Sequence, residues 1–314
     1  MPQPFAAIPF VDAHIHLWKL DHLRYPWLTG PFDDTGVNGS VEPIAHDYLA
    51  HDYTADLADW NPVAAVHVDA GADGAQALDE THWLNRQADL SAGVAGIPDG
   101  IPTAIVAFTA LDDPQADILL AAQARHTRVR GIRHIVNWHA DPARSYTPRD
   151  VTQDTAWQNG YALLAKHGLS FDLQCYPGQI AGLIPLIERH PDIPVIVNHM
   201  GMPVLSDVDG LETWQEGLRL LAALPHVAIK LSGLGFVDRY WTHALVEPLL
   251  AQVVDRFGTK RCMIASDTPT DKLFAPLSQY LETYRAFTAP FSQDEQRDLW
   301  GRNANRLYRL NLDL

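Results

Sequence analysis

The segment Val11-Asp12-Ala13-His14-Ile15-His16 sets two imidazoles two residues apart within an apolar run. In an extended strand alternate side chains share a face, so His14 and His16 point to the same side. Two neutral imidazoles side by side can take one divalent ion or polarise one carbonyl. Two structural histidines would show the same spacing, so the pair needs support from elsewhere in the chain. That support comes from two further apolar runs with polar ends. Val195-Ile196-Val197-Asn198-His199 ends in a third imidazole, and Met263-Ile264-Ala265-Ser266-Asp267 ends in a carboxylate that can accept a proton from water. A strand-terminal aspartate also serves as a helix cap or turn former. The chemical reading therefore depends on a fold that brings three strand ends to one place.

The pattern along the chain describes such a fold. Short apolar runs recur at Phe10 to His16, Val63 to Asp69, Thr103 to Phe108, Gly131 to Val136, Leu169 to Gln174, Pro194 to His199, His226 to Ser232 and Cys262 to Asp267. Between them, helical spacing is found at Ala75 to Ser91, Pro114 to His126, Asp154 to His167, Pro177 to His190, Leu211 to Leu224, Thr242 to Phe257 and Pro276 to Thr288. Prolines 114 and 177 mark first helical positions, and Gly168 and Gly258 mark stops. Strands alternating with helices predict a parallel (β/α)₈ TIM barrel formed by residues 1–314 as one domain. A doubly wound open sheet is the structural alternative, but no GxGxxG turn follows a strand, which disfavours its dinucleotide-binding form. In a barrel the three polar strand ends converge on the C-terminal mouth.

The long irregular segments Leu17 to Tyr53 and Asn137 to Val151 each follow a strand, where barrel enzymes carry substrate loops. They hold Trp18, Tyr25 and Trp27, and Trp138 and His139. Aromatic side chains there suit a flat or sugar-like ring, and equally suit loop packing. Arg133 shares a strand face with Gly131 and Ile135, opposite His134. It is read either as a bidentate partner for a substrate carboxylate or lactone oxygen, or as a rim salt bridge. Lys230, in an apolar strand, is either interior and functional or an edge residue with its head in water. Asp172 can hold a substrate hydroxyl or orient a neighbour. Asp12 reads as a structural rim group, and Asn303, Arg306 and Tyr308 as packing and capping residues of a closing helix.

Composition narrows the partners. The 314 residues are 47% hydrophobic and 19% charged, which permits a large core. The formal net charge of −15 argues against nucleic acid or an anionic membrane as partner. No apolar stretch reaches the roughly 18 residues of a membrane span. Residues Met1 to Pro9 lack a basic segment followed by a long apolar one, so no signal peptide is expected. Cys175 and Cys262 stand outside any CxxC motif and read as reduced thiols. The expectation is a soluble cytoplasmic protein.

VDAHIHLW, RYPWL, RGIRHI, LSFDLQCYPGQI, PVIVNHMG, VAIKLSGL, IASDTP and NANRLYRL, spread over nearly the whole chain, resemble the amidohydrolase superfamily. They are most similar to the amidohydrolase-2 branch that includes L-fuconolactonase and 2-pyrone-4,6-dicarboxylate lactonase. The resemblance implies hydrolysis of a small-molecule lactone, from a sugar or from aromatic degradation. Asp267 would be the general base, and His14, His16 and His199 would be electrophiles or metal ligands. The binuclear pattern of the superfamily is absent. Where it carries a bridging Lys or Glu on strand four and a histidine on strand five, this chain has Arg133 and His134, then Asp172 and Gln174. Arginine cannot ligate a metal. The implied cofactor is one divalent ion, zinc by its ligand types, held by His14, His16 and His199 or Asp267, or else no ion at all. Decarboxylation or lactone isomerisation on the same site is the nearest rival reading. A non-catalytic ligand-binding barrel is the rival of another class. A homo-oligomer is compatible with all three.

Overall fold

All eight apolar runs form strands: β1 Phe10–Ile15, β2 Pro62–Val68, β3 Ala104–Phe108, β4 Val129–Arg133, β5 Ser170–Leu173, β6 Val195–Val197, β7 Val227–Leu231 and β8 Cys262–Ile264. The structure, a computed structural model, describes residues 8–93, 97 and 99–314. Residues 1–7, read above as lacking a signal segment, lie outside the described residues. The strands pair in parallel in sequence order, β1 to β8. Just beyond their ends β1 and β8 meet. The His16 amide donates to the Thr268 carbonyl and the Asp267 amide to the His14 carbonyl, each at 2.9 Å. The sheet thus closes into a (β/α)₈ barrel. Its strands are near-continuous apolar runs because both faces are covered, by helices outside and by packed side chains within.

The connecting helices are α1 Ala50–Asp56, α2 Ala77–Ser91, α3 Ala116–Ala124, α4 Thr155–His167, α5 Pro177–Arg189, α6 Gly210–Ala222, α7 His243–Phe257 and α8 Leu277–Thr288. Seven of them answer to the helical spacings in the sequence. Pro177 opens α5, and Gly168, with φ 64°, closes α4 in the left-handed region that glycine adopts without strain. The exception is α1, which lies across the end of the segment read as irregular. Seven residues make only two turns, too few to display a helical period.

Two apolar layers form. The larger lies between the strands and the surrounding helices. The second fills the barrel interior with Val11, Ala13, Val66, Ile196, Met263 and their neighbours. The chain end folds beneath the barrel: Gly301 and Leu314 pack near Pro9, at the start of β1, and Tyr308 is buried within the interior layer. No helix among the described residues is long and apolar enough to cross a membrane.

Candidate active site

His14 and His16 leave β1 on the same face, with ring centroids 4.9 Å apart. His199 stands two residues beyond β6, and its ring centroid lies 4.8 Å from that of His14. Asp267 stands three residues beyond β8. Its Oδ1 is 3.4 Å from Nε2 of both His14 and His16, and its Oδ2 is 4.0 Å from His199 Nδ1. The three strand ends therefore meet at the C-terminal mouth. The backbone is unusual at two of these positions: His199 and Asp267 have φ of 51° and 52°, in the left-handed region that costs a non-glycine residue about 1–2 kcal/mol. Gly233 is required beside them, because a Cβ there would sit 2.7 Å from the Cβ of His199.

Neighbours orient each group. The His16 Nδ1 lies 2.7 Å from the Val68 carbonyl, which can only accept, so its ring proton is on Nδ1 and its Nε2 lone pair faces Asp267. His199 Nδ1 is 3.1 Å from Ser232 Oγ. Asp12 is structural: its Oδ1 accepts from the backbone of His14 (3.2 Å) and of Ser266 (2.9 Å), which ties the β1–β8 seam. Burial holds the imidazoles neutral. It lowers His14 well below the usual range, with help from the Lys230 ammonium, and takes His16 and His199 down to about 3. Burial also raises Asp267, against the opposing pull of His199, Arg133 and Lys230.

A cavity of about 270 Å³ opens above these residues. His16, His199 and Asp267 form its floor, Arg133 and Gln174 one polar wall, and Trp27, Tyr146 and Phe236 much of the rest. A more open hollow of about 370 Å³ adjoins it, with Trp27, Asn38 and Tyr146 common to both. Of the residues expected to meet substrate, Arg133 and Trp27 line the inner cavity. The Arg133 guanidinium is already engaged, donating from Nη1 to Gln174 Oε1 at 2.8 Å and from Nη2 to the Asp69 carbonyl, with Asp69 Oδ2 3.5 Å from Nε.

The other expected contacts lie elsewhere. Trp18 is buried behind His16 and donates from Nε1 to the His46 carbonyl at 2.7 Å. Tyr25 is buried in the loop core beside Glu80, whose carboxyl is pushed up to about 8, by burial first and then by Asp69. Trp138 and His139 border a separate hollow of about 230 Å³, where His139 Nε2 meets Asp207 Oδ2 at 2.8 Å. Lys230 and Asp172 lie fully buried below the cavity, 2.6 Å apart. Lys230 Nζ also reaches His14 Nδ1 at 3.3 Å, and the Tyr308 hydroxyl donates to Asp172 Oδ2 at 2.9 Å. The sequence reading did not single out Tyr146, Phe236 and Asp69. Tyr146 had a signal, its place in the loop after strand four. Tyr308, read as packing, is also a polar partner, and nothing local to it announced that.

His14, His16 and Asp267 offer ligand atoms within 4.8 Å of one another. His14 Nε2 and both Asp267 oxygens are buried without a hydrogen-bond partner. Two nitrogens and a carboxylate that converge with unspent polar atoms fit one divalent ion of the zinc type. His199 is the outlying member of the expected ligand set.

Residues 11–310 match the profile of the amidohydrolase family. The uncharacterized protein y4mH of Sinorhizobium fredii is 35% identical over 307 residues, covering 96% of this chain and 99% of its own length. An L-fucono-1,5-lactonase of Burkholderia multivorans is 28% identical over 312 residues, covering 96% of each chain. Among solved structures, a zinc-bound amidohydrolase of Burkholderia multivorans superposes with a TM-score of 0.76 at 28% identity, covering 96% of this chain and 99% of the other.

Proposed function

The chain belongs to the amidohydrolase family, and from that premise we propose that it opens a neutral lactone of the sugar type by hydrolysis. The observation that carries this reading is the meeting of Asp267 with three buried imidazoles, of which His16 and His199 form with it the floor of a cavity sized for one small ring. The full-length likeness to an L-fucono-1,5-lactonase supports the lactone. The cavity walls support its neutrality. Arg133 is the only Lys or Arg among the lining residues, and its guanidinium is engaged with Gln174 and Asp69. A dicarboxylate entering here would bring two charges to a buried cavity whose described lining offers only the Arg133 guanidinium, already shared with Gln174 and Asp69.

In this reading water attacks the lactone carbonyl carbon while Asp267 accepts its proton. The ring C–O bond then breaks, and Asp267 returns the proton to the leaving alkoxide, giving a hydroxy acid. A ring N–H of a neutral histidine on the floor stabilises charge on the carbonyl oxygen. An ion held by His14, His16 and Asp267 would supply Lewis-acid polarisation of that same oxygen. Gln174 and Asn38 can accept and donate to ring hydroxyls, and Trp27 gives the ring a flat apolar surface.

The test is a panel of sugar lactones and a pyrone dicarboxylate, followed with a pH indicator as acid is released. Turnover of a neutral five- or six-membered sugar lactone is expected, with little on the dicarboxylate. Preference for the dicarboxylate would overturn the substrate class, and no acid release from any lactone would overturn the reaction.

A further inference from the structure

We propose that the outer hollow is a binding site for a second sugar unit, so that the lactone opened over Asp267 carries a glycosyl substituent on the ring carbon opposite its carbonyl carbon. The proposal rests on the lactone reading above and adds the other half of the substrate.

The two spaces form one cleft. The inner cavity of about 270 Å³ has His16, His199 and Asp267 as its floor, and the outer hollow of about 370 Å³ is lined by none of these three. Trp27, Asn38 and Tyr146 line both, so one space passes into the other between them. A single small ring on the floor leaves the larger space unfilled. That space lies between the loops that follow β1 and β4, with residues 26–41 on one side and 143–146 on the other.

The walls have the chemistry of a sugar site. Trp27, Phe32 and Tyr146 offer flat apolar faces to the C–H side of a pyranose, and Asp33 and Asn38 offer acceptors to its hydroxyls. Asn38 Oδ1 is buried without a hydrogen-bond partner, at the junction of the two spaces. The Trp27 ring is fixed before any ligand arrives: its Nε1 donates to the Ala70 carbonyl at 2.8 Å, and it packs edge-on against Trp18 with ring centroids 5.5 Å apart. An acyl chain would leave Asp33 and Asn38 against hydrocarbon. An anionic substituent would meet Asp33, while the Arg144 guanidinium is engaged by Ser206 Oγ at 2.8 Å and lies 3.7 Å from Asp141 Oδ2.

Ring geometry says where the substituent leaves. In a six-membered lactone C4 lies across the ring from C1. With C1 over Asp267, the oxygen on C4 points away from the floor, toward Asn38 and the outer hollow. The substituent takes no part in the chemistry. Water adds at C1, the C1–O5 bond breaks and O5 takes the proton, so the glycosidic bond is kept and the product is a glycosyl aldonic acid. Oxidation of a disaccharide at its anomeric carbon is the class of reaction that yields such a lactone.

The test compares wild-type kcat/KM on glucono-, galactono- and mannono-1,5-lactone with that on 4-O-glucosyl and 4-O-galactosyl glucono-1,5-lactone, as acid release with spontaneous opening subtracted. The better glycosyl lactone should exceed the best unsubstituted one by about tenfold or more, because contacts made away from the reacting carbon contribute to the transition state. Any smaller ratio overturns the proposal and leaves the lactone reading standing. No enzymatic acid release from any lactone ends the lactone reading and takes the proposal with it. Phe32→Ala then locates the gain. Phe32 lines the outer hollow and not the inner cavity, so its loss should lower the ratio several-fold. Gly36→Trp, at a lining position where a Cβ meets no atom within 4 Å, narrows the same hollow and should do likewise. A full ratio in either folded variant overturns the placing of the second sugar, and the wild-type comparison stands whether or not they fold.

Discussion

Two polar layers cross the interior of the barrel, one above the other, and they are satisfied in opposite ways. In the upper layer His14 Nε2 and both oxygens of Asp267 are buried without a hydrogen-bond partner, and a cavity opens over them. In the lower layer Lys230, Asp172 and Tyr308 are bound to one another at 2.6 and 2.9 Å, with only Asp172 Oδ1 left over among their described side-chain atoms. A buried polar atom without a partner costs about 1–3 kcal/mol. The upper layer leaves those atoms to be met by a substrate, water or ion, which is what a reaction site requires. The lower layer uses its hydrogen bonds within the protein and holds the upper layer in place. Disturbing the upper layer should therefore change rate, and disturbing the lower one should change stability.

The largest effect is expected at Asp267. Asparagine there keeps the shape but cannot take a proton from water, so Asp267→Asn should lower turnover of a good lactone by about 10²–10⁴-fold. Its unfolding midpoint should hold or rise, because a desolvated carboxylate has been removed. Kinetics, denaturation and metal content on the same preparation check this. A variant that retains most of the wild-type kcat with unchanged metal content would end the assignment of Asp267 as base. His134→Ala is the control. His134 lies outside the barrel, where its Nδ1 accepts from the Leu111 amide at 3.1 Å, and its loss should barely touch the rate.

Tyr308→Phe probes the lower layer with a smaller and opposite outcome. It removes one hydrogen bond to a buried carboxylate, worth about 1.5–3 kcal/mol of stability. Urea denaturation should show that loss while kcat falls far less than in Asp267→Asn. Unchanged stability would mean that the Tyr308 hydroxyl contributes nothing and that the two layers do not divide as described. The smallest effect is expected at Trp138→Ala, which alters the side hollow and leaves both layers intact. Its kcat/KM should stay near that of the wild type. A large fall would shift the substrate site toward that hollow and away from the cavity over Asp267.

How far each residue was legible followed from the element that carries it. His14, His16, His199 and Asp267 sit in or just after strands, and strand direction alone predicts where their ends go once the sheet is parallel and closed. Arg133 and His134 were separable for the same reason, by alternation along β4. The loop aromatics were not. Trp18 and Tyr25 turn inward to pack, Trp27 turns toward the cavity, and Trp138 faces a different hollow. No period governs a loop, so residue type there says what a side chain can do and not which way it faces. Helix α1 was missed because two turns show no repeat.

From the sequence alone came the barrel, since eight apolar runs alternating with helical segments leave little other way to cover both faces of each strand. The four residues that meet at its mouth were legible for the same reason, because their positions follow from local periodicity. Tertiary structure alone decided what stands behind them. Lys230 meets Asp172 across 58 positions and His14 across 216, and Asp172 meets Tyr308 across 136. These contacts exist because the sheet closes on itself and the chain end folds beneath it. A pattern that repeats every two or four residues carries no information about which distant side chains then share the interior, and it is those neighbours that satisfy the polar groups buried there.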